Sequence, residues 1–242
     1  MNNKIAAQLW SVRDAIDADY VGTLKAIAEM GYTGVEFAGF ADIAAKDMKQ
    51  HLLNFNLDGV SAHIGFDNLK NNLDAEMEYL LTIGARFIVC PSAGISSVDD
   101  AKNLAAIFNG IGEKCFNNGL TLAYHNHDFE FKMDKGHYPL EVFYQHVDPR
   151  YVKQQPDVYW VAYAGLDVND YMVKNAARCP IIHLKQLENM ETKANVNAGA
   201  GILDFKFIAE AAPDAVLVYE QEHYIATSME EMKTSLEFIR GL

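Results

Sequence analysis

The chain has no apolar run long enough to cross a bilayer: stretches such as 87–89 fall far short of the ~20 residues that a spanning helix needs. It is poor in cysteine. Three in 242 residues (Cys90, Cys115 and Cys179), odd in number and without Cys-x-x-Cys spacing, argue against a disulfide framework and against a thiolate metal site. It is short of positive charge, with 20 Lys and Arg against 33 Asp and Glu, a net charge of −13. A uniformly acidic surface repels phosphate backbones, so no nucleic-acid partner is expected. Gly-x-Gly-x-x-Gly, the P-loop and Gly-x-Ser-x-Gly are all missing, which leaves no signal for a dinucleotide fold, an NTPase or a serine hydrolase. No Pro/Gly/Ser-rich linker divides the chain. Its first ten residues lack the long apolar run and small-residue cleavage site of a signal peptide, so the expected location is cytoplasmic, without membrane association.

What is present is a core-forming composition, half apolar and 22% charged, arranged in one repeated pattern. Short β-rich runs stand at 5–10, 34–38, 59–64, 87–90, 121–125, 152–160, 181–185 and 216–220, with polar residues at or near their ends. Between them apolar residues recur at helical spacing, as in Leu24, Ile27, Ala28 and, most clearly, Leu104, Ile107, Phe108, Ile111. Met229, Met232, Leu236 and Ile239 predict a terminal helix near 228–240. Gly31, Gly84, Gly119 and Gly241 follow helical stretches, where a left-handed residue ends a helix. Eight strands alternating with eight helices predict an α/β fold, a closed (β/α)8 TIM barrel with strands over 5–222 and a single domain over 1–242. The sixth strand is its weakest element, because Pro156 fits a strand end better than a strand centre.

In such a barrel the chemistry sits at the C-terminal ends of the strands. Found there are Gln8 and Trp10, Glu36, His63, the run His125-Asn126-His127-Asp128-Phe129-Glu130, Asp157, His183 with Lys185, and Glu220 with Glu222. Strand alternation places His125 with His127, His183 with Lys185, and Glu220 with Glu222 on shared faces. A single histidine at a strand end is most often a hydrogen-bonded structural residue, and a single acid such as Asp128 or Asp167 a helix cap. Imidazoles and carboxylates on consecutive strands point instead to a divalent cation such as Mn, Mg, Co or Zn, without which the carboxylates would repel one another. Trp10, Phe37, Phe66 and Trp160 are placed to stack on a sugar ring or to fill the barrel mouth. The run 197–201 is either an anion-binding loop or a turn, with the turn preferred, and Cys90 is a buried small apolar residue rather than a nucleophile.

The stretches 8–14, 31–36, 124–131, 157–161, 183–185, 199–204 and 218–221, in this order and spacing, resemble the sugar phosphate isomerase/epimerase family of xylose isomerase-like TIM barrels over essentially the whole chain. The resemblance implies a divalent ion held by Glu, Asp, His and Glu on strands five to eight. Asp157, His183 and Glu220 match the last three. Strand five departs, with His125 in place of the glutamate, His127 two residues on and Glu130 further out; Gln186 stands where many relatives have Asp. His125 is taken as the fourth ligand, with Glu130 as its competitor.

The function this implies is a metal-dependent isomerase or epimerase acting on a small keto-sugar or sugar phosphate through a metal-stabilised ene-diolate. Glu220 would be the base, and His127 or Lys185 the second acid/base. Gln8, Trp10, Glu36, His63 and Trp160 would contact substrate. Dehydration or elimination on an inosose or keto-glycoside is the alternative, since one base and one acid then suffice. A non-catalytic carbohydrate-binding barrel is the rival from another class, discriminated by metal content. The endonuclease branch needs further His and Asp ligands, yet His51, His137, His146 and His223 fall away from the strand ends. A small carbohydrate is therefore the expected partner, and a homo-oligomer is compatible with the sequence.

Overall fold

The computed structural model describes residues 4–242, so the first three residues of the expected domain lie outside the described residues. Eight parallel strands form the sheet: Ile5–Gln8, Gly34–Phe37, Asp58–His63, Phe87–Cys90, Thr121–His125, Val152–Gln155, Ile181–Leu184 and Val216–Tyr219. Counted in that order, hydrogen-bonded neighbours run sixth, fifth, fourth, third, second, first, eighth, seventh. The first strand thus pairs with both the second and the eighth, and helices cover the outside. This is the (β/α)8 TIM barrel that the alternation predicts, in one domain.

Closure is incomplete at one seam. The sixth and seventh strands share no ladder, only a parallel bridge between Asp157 and His183, with the His183 N–H donating to the Pro156 carbonyl at 2.9 Å. The same place corrects the expected sixth strand, which ends at Gln155 instead of running to 160. Pro156 has no N–H to continue a ladder. Directly after it the Asp157 carboxylate accepts the N–H groups of Tyr159 and Trp160, capping a helix over Val158–Tyr163. Trp160 therefore stands on a helix, not at a strand end.

The barrel interior is plugged by Ala6, Val60, Phe87, Val89, Ala123, Ile181, Val216 and Val218, a small apolar cluster separate from the larger core between sheet and helices. Side chains two residues apart on a strand share a face. Gln8, His125, His183 and Glu220 each lie two residues beyond a plug residue (Ala6, Ala123, Ile181 and Val218), so they are the next inward layer toward the C-terminal mouth. A register shift helps build this layer: Val35 pairs with Gly59 but Glu36 with Ser61, so the extra residue in the third strand brings Ser61 beside Glu36. Space there is tight. A Cβ on Gly34 would lie 2.7 Å from Val60 Cγ2 and 2.8 Å from the Asp58 carbonyl oxygen.

Beyond the seventh strand, Gln186–Leu187 and Asn195–Val196 form a small antiparallel pair. The run 197–201 is a packed turn: a Cβ on Gly201 would meet the Leu187 carbonyl oxygen at 2.1 Å. The terminal helix, Ser228–Arg240, begins in a capping box between Thr227 and Glu230. Among the described residues no helix is long and apolar enough to cross a membrane.

Candidate active site

A cavity of about 290 Å³ opens at the C-terminal mouth, lined by Gln8, Trp10, Ala38, His63, Pro91, His125, His127, Glu220 and Glu222. A larger one of about 510 Å³, between Lys153, Pro180 and Asp214, lies at the other end of the sixth to eighth strands, away from the C-terminal mouth. His125 and Glu220, which line the mouth cavity, belong with the fully buried Asp157 and His183 to a group whose ligand-capable atoms all lie within 4.8 Å of one another. These come from four consecutive strand ends. His63, His125 and His183 form an overlapping group within the same distance.

Asp157 divides its carboxylate between two tasks. Oδ1 caps the helix over Val158–Tyr163, whereas the buried Oδ2 has no hydrogen-bond partner among the described residues. The nearest imidazole nitrogen, His125 Nε2, is 3.9 Å away, too far for a hydrogen bond. Burial drives the Asp157 pKa up to about 7, with Glu220 adding repulsion and Lys185 opposing. Burial also lowers the His125 pKa well below the usual range, helped by the neighbouring His183 and His63, so its ring is neutral. A bare carboxylate oxygen facing a neutral imidazole in a buried, acid-rich floor is a donor set that a divalent cation fits.

His183 sits between two carboxylates, Nδ1 at 2.7 Å from Glu220 Oε2 and Nε2 against Glu36 Oε1. Burial disfavours its charged form, but Glu36 and Glu220 overcome this and hold it protonated, with a pKa of about 10. Burial would raise the Glu220 pKa; Lys185, with Nζ 3.7 Å from Glu220 Oε1, and His183 outweigh it and keep the carboxylate ionised. Lys185 is itself buried, paired with Glu222 and set over the rings of Tyr159 and Trp160 at 5.1 and 5.0 Å.

The other residues expected at the site fall into two groups. His63, His127, Gln8 and Trp10 line the cavity, and the His127 Nδ1 is buried without a partner. Burial lowers the His127 pKa, leaving that ring neutral near pH 7. Glu36, Lys185 and Trp160 do not line it. Trp160 packs against His127 at 5.5 Å. Glu36 is wholly buried, accepting from Gln8 Nε2 (2.8 Å), Ser61 Oγ (2.6 Å) and Gln155 Nε2 (2.7 Å), with His63 Nε2 at 3.1 Å besides His183. Its oxygens are engaged by protein and not offered to a ligand. Glu130 points away from the cluster: one oxygen accepts the Tyr124 hydroxyl at 2.8 Å, the other the His127 N–H at 2.9 Å, and burial raises its pKa to about 7. Asp167 caps a helix through the Asp170 N–H, and nothing more.

Glu222, which the sequence places on one face with Glu220 but without a role, lines the cavity and pairs with Lys185. Gln155 stands here without any signal of its own in the sequence.

The penalty of the bare Asp157 oxygen should be measurable. Asp157→Asn keeps an amide oxygen for the helix cap and removes the buried charge. The free acid titrates near 3.8 and the folded one near 7, so the wild type loses stability as pH rises from about 4 to about 7. The variant should show no such loss in metal-free protein. Its Tm should exceed the wild type's above pH 7, by a gain of up to roughly 4 kcal/mol, and match it near pH 4. A gap that does not change with pH would mean that Asp157 is not titrating as described.

The sequence profile of the xylose isomerase-like TIM barrel family matches residues 24–242. No curated protein matches the sequence. Among solved structures, a sugar phosphate isomerase/epimerase from Parabacteroides distasonis is 25% identical, with a TM-score of 0.83 over 98% of this chain and 93% of that one. The 3-keto-D-glucoside 4-epimerase of E. coli is 17% identical, with a TM-score of 0.77 over the whole of both chains. A protein called IOLI, solved with a bound zinc atom, is 13% identical, with a TM-score of 0.74 over 97% and 96%. At those last two identities the likeness establishes the fold alone.

Proposed function

Because the chain belongs to the xylose isomerase-like TIM barrel family, we propose that it is a divalent-metal-dependent isomerase or epimerase acting on a small keto-sugar or sugar phosphate. The observation that carries this reading is the convergence of His125, Asp157, His183 and Glu220, two of which line the mouth cavity, with Asp157 Oδ2 unpartnered among the described residues. These four would hold the ion. When bound, it would supply a Lewis acid next to a sugar carbonyl and its neighbouring hydroxyl, acidifying the C–H between them. Glu220, ionised and lining the cavity, takes that proton. His127, neutral and lining the same cavity, takes a proton from a substrate hydroxyl and passes it on to the neighbouring oxygen, while Glu220 returns its own to carbon. Trp10 supplies an apolar face for the sugar ring, and His63 a hydroxyl contact. Lys185 acts from behind the wall, keeping Glu220 ionised and pairing with Glu222.

One feature favours a second reading. The fifth strand contributes an imidazole to the cluster and its nearest glutamate, Glu130, is turned away, so the site holds one carboxylate base and one imidazole that can relay a proton. That pairing suits elimination of water or of a glycosidic leaving group as well as isomerisation. The discriminating experiment incubates keto-sugars, inososes and 3-keto-glycosides with the protein and Mn, Mg, Co or Zn in D2O, with products read by NMR. Deuterium at one carbon without loss of mass supports the isomerase or epimerase. Loss of water or a leaving group supports the lyase. No turnover, with no metal retained, would favour a carbohydrate-binding barrel.

Metal uptake should depend steeply on pH. Binding requires Asp157 ionised and His183 neutral, yet in the metal-free protein Asp157 holds its proton up to about 7 and His183 up to about 10. Two protons are therefore displaced below pH 7, and one between 7 and 10. The logarithm of the Zn or Mn affinity should climb with a slope near two and then near one. Calorimetry in buffers of different ionisation enthalpy measures this directly. An affinity independent of pH would remove Asp157 and His183 from the ligand set.

A further inference from the structure

Gln155, the last residue of the sixth strand, is wholly buried between Glu36 on one side and two imidazoles on the other. Which end of its amide faces which side follows from donors that cannot be reversed. The Trp10 backbone N–H donates to Gln8 Oε1 at 3.0 Å, so the Gln8 amide must present its NH2 to Glu36. With the Ser61 hydroxyl and the His183 ring also directed at it, Glu36 accepts from every side, as only a carboxylate does. Gln155 therefore turns its NH2 to Glu36, at 2.7 Å, and its carbonyl oxygen the other way. That oxygen lies 3.1 Å from His125 Nδ1 and 2.9 Å from His63 Nε2. An amide oxygen only accepts, so each of those two nitrogens carries a proton.

For a neutral His125 this leaves Nε2 as the bare nitrogen, and Nε2 is the atom that faces the unpartnered Asp157 Oδ2. We infer that Gln155, aimed by Glu36, is a positioning residue that locks His125 in its Nδ1–H tautomer and so presents the Nε2 lone pair to the cation site. The inference rests on the proposed ligand set for what the lone pair does, but the tautomer itself is a property of the metal-free chain. The arrangement also explains why Glu36 is buried beneath the cavity: its charge fixes the direction of a hydrogen-bond chain that ends at a ligand.

The test uses full-length protein labelled with ¹⁵N-histidine and free of metal. Long-range ¹H–¹⁵N correlation distinguishes Nδ1–H from Nε2–H rings, and His125→Gln identifies the His125 signals by their loss. Wild type should show His125 as Nδ1–H. Gln155→Leu, or the milder Gln155→Met, removes the acceptor and should shift the ring toward Nε2–H. The Zn affinity of that variant, measured by chelator competition, should fall about 10–100-fold. An Nε2–H ring in the wild type overturns the inference without recourse to any variant, as does an unchanged tautomer in a folded Gln155 variant. Failure of wild type to bind Zn, Mn or Co while His125 is Nδ1–H would sink the metal reading alone and leave the lock standing.

Discussion

Glu220→Gln should abolish turnover while leaving the protein folded and able to hold a divalent ion. The glutamine is isosteric, keeps one oxygen as acceptor for the His183 ring, and leaves Lys185 paired with Glu222. What it cannot do is take a proton from carbon. Loss of the general base should lower kcat about 10²–10⁴-fold with little change in KM. Glu220→Ala should do more. It removes a ligand from the cluster, frees His183 from one of the two carboxylates that hold its proton, and leaves Lys185 with one carboxylate fewer in a buried setting. Metal affinity should then fall by more than the ~10–100-fold typical of groups that only support a ligand. Paired metal content and kcat for the two variants separate binding from chemistry. Retained activity in Glu220→Gln would take this carboxylate out of proton transfer and leave it a ligand only.

The second large effect is expected on the fifth strand, where three side chains compete for one role. His125→Ala should lose the ion. His127→Ala should keep the ion and lose turnover by about 10²–10⁴-fold, because its ring lines the cavity and its Nδ1 has no protein partner. Glu130→Gln should keep the ion as well, since both Glu130 oxygens are committed to Tyr124 and to the His127 N–H. It should instead loosen the 126–131 turn and raise KM modestly. Metal content by mass spectrometry and steady-state kinetics on the three variants give the answer in one series. Were Glu130→Gln to release the ion and His125→Ala to retain it, the two-carboxylate chemistry of a two-base epimerase would return as the better reading.

Most of the architecture was legible in the sequence because its cause is local. A run of four to six β-rich residues followed by a helical stripe specifies a strand and its covering helix wherever it occurs, and eight such units leave few folds to choose from. The inward layer was legible for the same reason: a period of two carries Ala123 to His125, Ile181 to His183 and Val218 to Glu220. The sequence predicts a sixth strand longer than the one that forms, because Val158, Tyr159 and Trp160 have strong β-propensity. Pro156 and the cap offered by Asp157 override it and turn those residues into a helix. Propensity gave way to a hydrogen bond.

By itself, then, the sequence determined the strand–helix repeat, the acidic character, and which residue types stand at which strand ends. It could assign Asp157, His183 and Glu220 through a resemblance and leave His125, His127 and Glu130 in competition. Only the tertiary structure separates those three, since the direction of Glu130 is decided by Tyr124 across a turn and not by spacing along a strand. Only the tertiary structure moves Glu36 from the cavity wall to the buried centre of a hydrogen-bond network. Its partner Gln155 lies 119 residues away, and neither residue announces the other in the chain. Local periodicity fixes the face on which a side chain emerges. The partner it meets there is set by barrel closure, which brings together strand ends that the sequence keeps more than a hundred residues apart.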